Sequence, residues 1–243
     1  MTQTQRTPRH QDNRLLAALE PEDLAYLEPY LARIELQRGQ VLYESGETVK
    51  YTYFPLDAMV SLVTMMRDGK SAEMALFGCE GLFGLVSAFV TRQAFGRYIV
   101  QLGGSASRIE LPRMHAAMAS RPAIQRLVLR YTEALIAQTL QSVACNAVHN
   151  VEARCCRWIL MSQDRVGDAE LPLTHEFLAE MLGVQRSTVS EVTRALQDKG
   201  LIQQGRGMIT VLDRPALQQA ACECYQIIRQ RYQQLLPQTY ARD

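Results

Sequence analysis

The segment Gln185–Lys199 carries side chains whose hydrogen-bonding groups match the edges of nucleic-acid bases. Arg186 can donate two hydrogen bonds to guanine, Gln185 can bond adenine or a phosphate, and Glu191 can accept from a cytosine amino group. Arg194 either touches DNA or pairs with a neighbouring carboxylate. Other polar side chains in or near the segment suit phosphate oxygens: Thr174, Ser187, Thr188, Ser190 and Arg206. The pattern predicts a surface that binds DNA.

These side chains need a helix that stands free on one face. Apolar residues of the segment form one helical stripe, which predicts that its polar residues lie on the opposite, solvated face: Val189, Val192 and Leu196. Thr174 begins a shorter helix before it, and Gly183-Val184 provides a tight turn between the two. A hairpin tipped by Gly205-Arg206-Gly207 follows. This order predicts a winged helix-turn-helix that binds DNA, with a winged helix that binds protein as the alternative.

The first half of the chain has a different pattern of apolar residues and glycines. From Ile34 to Leu111, short apolar runs alternate with glycines at near-regular intervals, which is typical of an antiparallel barrel or roll. Asp68-Gly69 is the best hairpin candidate, and Glu20-Pro21 marks the start of a short N-terminal helix. The predicted fold class is α+β with three parts: helices and an N-terminal antiparallel β-roll over residues 1–112, a long dimerisation helix and hinge over 113–149, and a C-terminal winged helix-turn-helix with a last helix over 150–243.

A long helix is predicted from Pro112 to about Val148, and it carries two apolar stripes. The first contains Ile124, Val128, Tyr131, Leu135, Gln138 and Cys145, and the second contains Leu129, Ile136, Leu140, Val143 and Ala147. One stripe can cover the roll while the other packs against a second copy, which predicts a parallel helix pair and a homodimer. The alternative is a helix buried on both sides within one chain. His149-Asn150 interrupts the helical spacing of apolar residues and is the predicted hinge.

Composition limits the class of protein. The net charge is +1, and residues 150–243 hold 11 Lys or Arg against 11 Asp or Glu, so the DNA prediction depends on motif geometry rather than on charge. The N-terminus lacks the apolar run of a signal peptide, and no stretch approaches the roughly 18 apolar residues of a membrane helix. A cytoplasmic protein without a membrane partner is expected.

The six cysteines follow no paired-loop spacing, so reduced thiols are expected. A metal site is not expected, because no C-x2-C pair recurs and because Cys222 and Cys224, two apart on a helix, would point to different faces. Cys145, Cys155 and Cys156 surround the hinge, so a thiol redox switch is one hypothesis, and small packing residues are the simpler one. A cysteine-dependent enzyme is a third reading, but no cysteine stands in a common catalytic motif, so no enzyme is expected.

The order of parts resembles the cyclic-AMP receptor and fumarate-nitrate regulator (Crp/Fnr) family over nearly the whole chain. The resemblance is carried by Arg38–Glu47, by Gly78, Gly81 and Gly84, by Val151–Arg154 and by Leu173–Val184. It implies a transcription regulator that binds an inverted-repeat operator as a homodimer. It also implies an effector signal passed through the long helix and hinge, and a contact with RNA polymerase.

The effector region departs from the family's cyclic-nucleotide binders, in which a Gly-Glu pair holds the ribose and an Arg-Ser pair holds the cyclic phosphate. The corresponding residues here are Gly84-Leu85 and Arg97-Tyr98. Leu85 cannot accept a hydrogen bond from a ribose hydroxyl, so cyclic AMP is not the expected effector, although Thr139 matches a position that touches the base. A member that still binds a cyclic nucleotide is the alternative.

Two further departures concern cofactors and the operator. No cysteine precedes Cys79, so the N-terminal iron-sulfur cluster of the oxygen-sensing members is not expected. None of the four histidines stands out as a haem ligand, and the cofactor is left open. In the reading helix Ser187 replaces the family's Glu and Glu191 replaces its later Arg, so an operator half-site different from the usual one is expected.

Overall fold

The computed structural model describes residues 8–67 and 71–239. The predicted Asp68-Gly69 turn lies outside the described residues, but the strands on either side of it pair antiparallel, with Met65 opposite Ser71. No helix among the described residues combines the length and the apolar character that a membrane span requires.

The N-terminal half is a β-roll preceded by two short helices, α1 (Arg14–Ala17) and α2 (Pro21–Leu27). Its strands are β1 (Ala32–Leu36), β2 (Val41–Tyr43), β3 (Tyr51–Pro55), β4 (Met59–Met65), β5 (Ser71–Phe77), β6 (Arg97–Leu102) and β7 (Gly104–Glu110). They form two antiparallel sheets with the orders β1-β7-β3 and β2-β6-β4-β5. Aromatic rings from both sheets meet in the core, where Phe83 stacks on Tyr53 at 4.7 Å and on Tyr98 at 5.5 Å between ring centroids.

The helical region after the roll is divided into α3 (Leu111–Ser120) and α4 (Pro122–Val148), so the prediction of one continuous helix from Pro112 is wrong. Arg121 between them has extended dihedral angles, φ −125° and ψ 95°. The cause is Pro122, whose ring disfavours a helical conformation at the preceding residue and which has no N–H to donate.

The C-terminal half contains α5 (Val151–Val166), β8 (Glu170–Leu171), α6 (His175–Leu182), α7 (Arg186–Asp198), β9 (Ile202–Gly205), β10 (Met208–Val211), α8 (Arg214–Ala220) and α9 (Cys224–Leu235). The wing is a small sheet in the order β8-β10-β9 rather than the predicted two-stranded hairpin. Asn150 caps α5 by accepting from the backbone N–H of Ala153 at 2.9 Å, so a new helix begins directly after the predicted hinge. This order of elements confirms the predicted α+β architecture.

The two halves pack on each other through β5 and the loop after it. Trp158 of α5 donates through Nε1 to Glu73 Oε1 at 3.2 Å, and Ser71 donates to Glu180 of α6 at 2.9 Å. A buried ion pair joins Arg165 Nε to Glu80 Oε1 at 2.9 Å. One strand of the roll therefore touches the helices that carry α7.

Candidate nucleic-acid interface and effector cavity

The first helix of the helix-turn-helix has strong signals at both ends. Thr174 caps α6, because its Oγ1 accepts from the backbone N–H of Phe177 at 3.2 Å. Gly183 ends the helix with φ +64°, a left-handed conformation that disfavours other residues. Arg154 of α5 donates to the carbonyl of Leu182, which fixes this end against the domain core. The turn is therefore short and α7 starts at Arg186.

The buried face of α7 differs from the prediction at one position. Val189 and Leu196 are fully buried, as expected, but the third inward residue is Thr193, and Val192 is only half-buried. Residues at i, i+4 and i+7 lie closest to one line on a helix, which places Thr193 between the other two. Its hydroxyl is satisfied by donating to the carbonyl of Val189 at 2.8 Å.

The opposite face of α7 is open to solvent, and it carries most of the residues predicted to read DNA: Gln185, Arg186, Ser187, Glu191 and Arg194 are exposed, and Thr188 is half-exposed. Ser190 departs from the prediction, because it is half-buried and its hydroxyl donates to the carbonyl of Arg186 at 3.1 Å. Its Oγ also lies 3.0 Å from Nδ1 of His175. Ser190 therefore faces α6 rather than the surface.

Arg186 is held beside the start of α6 by an ion pair. Its Nε lies 2.9 Å from Oε1 of Glu176, and both side chains are about two-thirds exposed, at 68% and 61%. A pair this exposed contributes little net free energy, about 0–1 kcal/mol. The guanidinium group can therefore leave Glu176 for a base edge at small cost.

Thr174, Arg186 and the wing share one surface. A groove of about 210 Å³ lies between the start of α6 and the wing, and its wall includes Thr174, Arg186, Gly205 and Gly207. Arg206 is exposed at the tip of the β9–β10 hairpin. The structure thus brings together on one side of the domain residues that are up to 32 positions apart in the chain, counting from Thr174 to Arg206.

His175 and Gln204 are the residues of this surface that sequence reasoning missed. Nε2 of His175 lies 2.9 Å from Oε1 of Gln204, and Thr193 Oγ1 lies 3.1 Å from the same oxygen. The backbone N–H of Gln204 in turn donates to the side chain of Gln197 at 2.8 Å. This network joins α6, α7 and β9 without using apolar contacts.

A cavity of about 240 Å³ lies between the roll and α4. Its wall is almost wholly apolar: Leu62, Met74, Ala75, Phe77, Val86, Phe95, Tyr98, Leu135, Ile136, Thr139 and Leu140. The two hydroxyls in this wall already donate elsewhere, Tyr98 to Ser87 Oγ at 3.3 Å and Thr139 to the carbonyl of Leu135 at 2.9 Å. No charged side chain of the described residues lines the cavity.

Only Tyr98 and Thr139 of the predicted effector residues line this cavity. Leu85 is fully buried, and a side chain at Gly84 would strike the backbone of Tyr51. Arg97 is paired with Glu44 on the roll surface, with Nε 2.9 Å from Oε2. Gly84, Leu85 and Arg97, predicted as effector residues, therefore do not line this cavity.

Comparison with known proteins agrees with this architecture. A model of the Crp-like helix-turn-helix domain matches residues 153–220, and a model of the cyclic nucleotide-binding domain matches residues 33–113. The chain belongs to the Crp/Fnr family. It is a member of a family of transcription regulators that bind DNA through this helix-turn-helix.

Individual Crp/Fnr relatives are distant. The chain is 23% identical over 197 residues to the CRP-like cAMP-activated global transcriptional regulator of Mycobacterium tuberculosis, covering 77% of this chain and 87% of the relative. It is 24% identical over 196 residues to the global nitrogen regulator of Synechococcus elongatus, covering 76% and 87%. The structure of FixK2 from Bradyrhizobium japonicum has a TM-score of 0.68 at 16% identity, covering 79% of this chain and 98% of FixK2. At this identity the solved structure supports the fold alone.

The three cysteines predicted to surround the Crp/Fnr hinge do not share one cluster. Cys155 and Cys156 are fully buried in the main apolar core, and burial raises the pKa of the Cys156 thiol to about 12 and that of Cys155 further. Cys145 packs apart from them, with its Sγ 3.4 Å from Sγ of Cys222. Cys155 and Cys156 therefore fit the packing role, because thiols of raised pKa are poor nucleophiles.

The structure contradicts the prediction that Cys222 and Cys224 lie two apart on one helix. Helix α9 begins at Cys224, and Cys222 lies in the loop before it, so the two residues are not both helical. Helical periodicity therefore does not separate their side chains. Cys222 and Cys224 pack against Cys145 in one small cluster.

Proposed function

We propose that this Crp/Fnr protein is a sequence-specific DNA-binding regulator that acts as a homodimer on an inverted-repeat operator, with an effector other than cyclic AMP. The observation that carries the proposal is the two-sided character of α7, which buries Val189, Thr193 and Leu196 and leaves Arg186 and Glu191 exposed. A helix held in this way enters a major groove with its N-terminal half.

Roles follow from side-chain chemistry and position. Gln185, Arg186 and Glu191 read base edges, because an amide, a guanidinium group and a carboxylate each have a matching base. The residues that contact phosphates and set the register are Thr174, Ser187, Thr188, Arg194 and Arg206. Ser190 supports this surface from behind, because its hydroxyl bonds His175 and the Arg186 carbonyl.

The outer stripe of α4 supports a homodimer. Leu129, Ile136, Leu140 and Val143 are 52–65% exposed, although the opposite stripe of the same helix is buried against its own chain. Their spacing of 7, 4 and 3 residues is the repeat of a helix that packs along a parallel copy of itself. Such a pair places two α7 helices on one side of the dimer, about one turn of DNA (~34 Å) apart.

The character of the cavity argues against a cyclic nucleotide. A cyclic phosphate carries a charge that must be paired when it leaves water. The wall offers apolar side chains and two hydroxyls that already donate. A small apolar molecule fits this surface better.

A route from the cavity to the DNA-binding helices passes through β5. Met74, Ala75 and Phe77 line the cavity. Their neighbours Glu73 and Ser71 contact α5 and α6 through Trp158 and Glu180. A ligand that shifts β5 therefore acts on the position of the helix-turn-helix.

We infer that the protein acts in the cytoplasm and contacts RNA polymerase there, as the family resemblance implies.

Two measurements test the proposal with the full chain. Footprinting on the promoters of its own genome should give protection of a palindromic site, with affinity that falls steeply as salt rises. Binding that is blind to sequence or indifferent to salt would refute it. Calorimetry with cyclic AMP, cyclic GMP and cyclic di-GMP should give no heat of binding, and saturable heat with any of them would restore the nucleotide alternative.

A further inference from the structure

Four side chains with soft metal-binding atoms converge where α4 ends and α9 begins: Cys145, His149, Cys222 and Cys224, which we call the Cys3His cluster. Their Sγ and imidazole nitrogen atoms all lie within 4.8 Å of one another. Cys145 Sγ is 3.4 Å from Cys222 Sγ, and Cys224 Sγ is 3.5 Å from Nδ1 of His149. The three thiols are buried and the imidazole is half-buried.

These distances match a tetrahedral ion. With metal–sulfur bonds of about 2.3 Å and metal–nitrogen bonds of about 2.0–2.1 Å, the edges of a zinc tetrahedron are about 3.6–3.8 Å. The closest observed pairs are slightly shorter than these edges, and no pair of ligand atoms exceeds them by more than about 1 Å. We propose that the Cys3His cluster is a binding site for Zn²⁺ that fastens α9 to the hinge.

The atoms around the cluster support this assignment. Nε2 of His149 lies 3.1 Å from Oε2 of Glu223, which fixes the ring with Nδ1 turned toward the thiols. A carboxylate behind the distal nitrogen is the usual partner of a zinc-bound histidine. Gln141 also donates through Nε2 to Cys224 Sγ at 3.1 Å, a hydrogen bond that stabilises a thiolate. A disulfide between Cys145 and Cys222 would involve neither His149 nor Cys224, the two residues on which these contacts act.

Charge balance points the same way. Three thiolates and Zn²⁺ carry a net charge of −1, which is costly in a buried place unless a cation is near. Arg157 of α5 supplies that cation, because it is itself buried and its charge favours the thiolate forms of both Cys145 and Cys222. The cluster therefore combines four ligands, a carboxylate behind the imidazole and a compensating positive charge.

The position of the site suggests a structural effect. Cys145 is near the end of α4, His149 is in the hinge, and Cys222 and Cys224 flank the start of α9, which packs back on α4. Four protein ligands leave no open position, which is typical of structural rather than catalytic zinc. Zn²⁺ bound here would close the chain across the hinge and stabilise the fold.

The test uses the full chain, freed of metal by a chelator under reducing conditions and then titrated with Zn²⁺ or Co²⁺. We expect one ion per chain, release of thiol protons, a higher unfolding temperature, and with Co²⁺ the visible spectrum of a tetrahedral thiolate complex. Cys222→Ser and Cys145→Ser should abolish these changes, whereas the matched control Cys155→Ala should retain them. Binding is measured without DNA, so its result is independent of the proposed function.

Glu223→Gln keeps the proposal testable where a cysteine variant fails to fold, because Glu223 is exposed and is not a ligand. It should weaken Zn²⁺ affinity about 10–100-fold. The proposal is overturned by several results: no stoichiometric binding, equal binding by wild type and Cys222→Ser, a metal-free Cys145–Cys222 disulfide in the purified protein, or iron with acid-labile sulfide in place of a single ion.

Discussion

Nε2 of His175 lies 2.9 Å from Oε1 of Gln204, and this contact joins the first helix of the helix-turn-helix to the wing. The other ring nitrogen lies 3.0 Å from Ser190 Oγ on α7. One imidazole ring therefore touches all three elements that form the proposed DNA-binding surface. The strands β9 and β10 of the wing have only four residues each, so the wing has few other contacts to hold it. We therefore expect the His175 ring to help fix the position of the wing relative to α6 and α7.

Gln204→Ala should lower the free energy of unfolding by about 1–2 kcal/mol, because it removes the side chain that bonds the imidazole of His175 and leaves that ring nitrogen without its partner on β9. It should also weaken operator binding by loosening the wing. Denaturant unfolding and gel shifts measure the two effects. The adjacent, exposed Gln203→Ala is the control and should be neutral. Equal stability of both variants would show that the network does not hold the wing.

Sequence reasoning predicted α7 and its exposed face because helical periodicity is a local signal. Val189 and Leu196 are seven residues apart, and their spacing alone orients Arg186 outward. His175 and Gln204 are 29 positions apart on different elements, so no local pattern connects them. Thr193 was missed for a related reason, since a hydroxyl is buried only when the fold supplies an acceptor.

The other differences between prediction and structure also separate into those with a local sequence signal and those without one. The break at Arg121 was readable from Pro122, because proline constrains the residue before it, and the two apolar stripes begin only after this break, at Ile124 and Leu129. The Cys3His cluster was not readable, because it needs the loop before α9 to return to the end of α4. Arg97 and Tyr98 are consecutive residues of β6, so their side chains lie on opposite faces of the strand: Tyr98 lines the cavity and Arg97 pairs with Glu44 on the surface.

Arg186→Ala should relax base preference at one operator position and cost about 1–3 kcal/mol of binding free energy, because it removes a two-donor contact with a base. Arg206→Ala should instead weaken binding about equally on all sequences and reduce the salt dependence, because it removes a phosphate contact. Competition assays with specific and random duplexes separate the two results. Each variant is the control for the other, and equal losses on both kinds of DNA would contradict the roles assigned.

Leu129→Glu should convert the proposed dimer into a species with the mass of one chain, 27.4 kDa, because it puts a charge in the apolar stripe of α4. Leu129 does not line the cavity, so the change tests association alone. Light scattering after gel filtration gives the mass. Leu212→Glu is a matched control, since Leu212 is 56% exposed against 53% for Leu129, and it should remain dimeric. A dimeric Leu129→Glu variant would place the interface elsewhere.

Glu73→Gln should flatten the dependence of stability on pH. Desolvation raises the pKa of the Glu73 carboxyl above its ordinary value of 4.5, although hydrogen bonds from Ser61 and Trp158 act in the opposite direction. As pH rises above 4.5 the folded chain keeps a proton that the unfolded chain has lost, so the free energy of unfolding falls until the raised pKa is passed.

Glutamine at position 73 has nearly the same shape as glutamate and accepts from Trp158, but it has no proton to lose over this range. The free energy of unfolding of the variant, measured by denaturant titration, should therefore exceed that of wild type increasingly above pH 4.5, until the raised pKa is passed. Exposed Glu22→Gln should run parallel to wild type, and a parallel curve for Glu73→Gln would mean that the carboxyl loses its proton equally in both states.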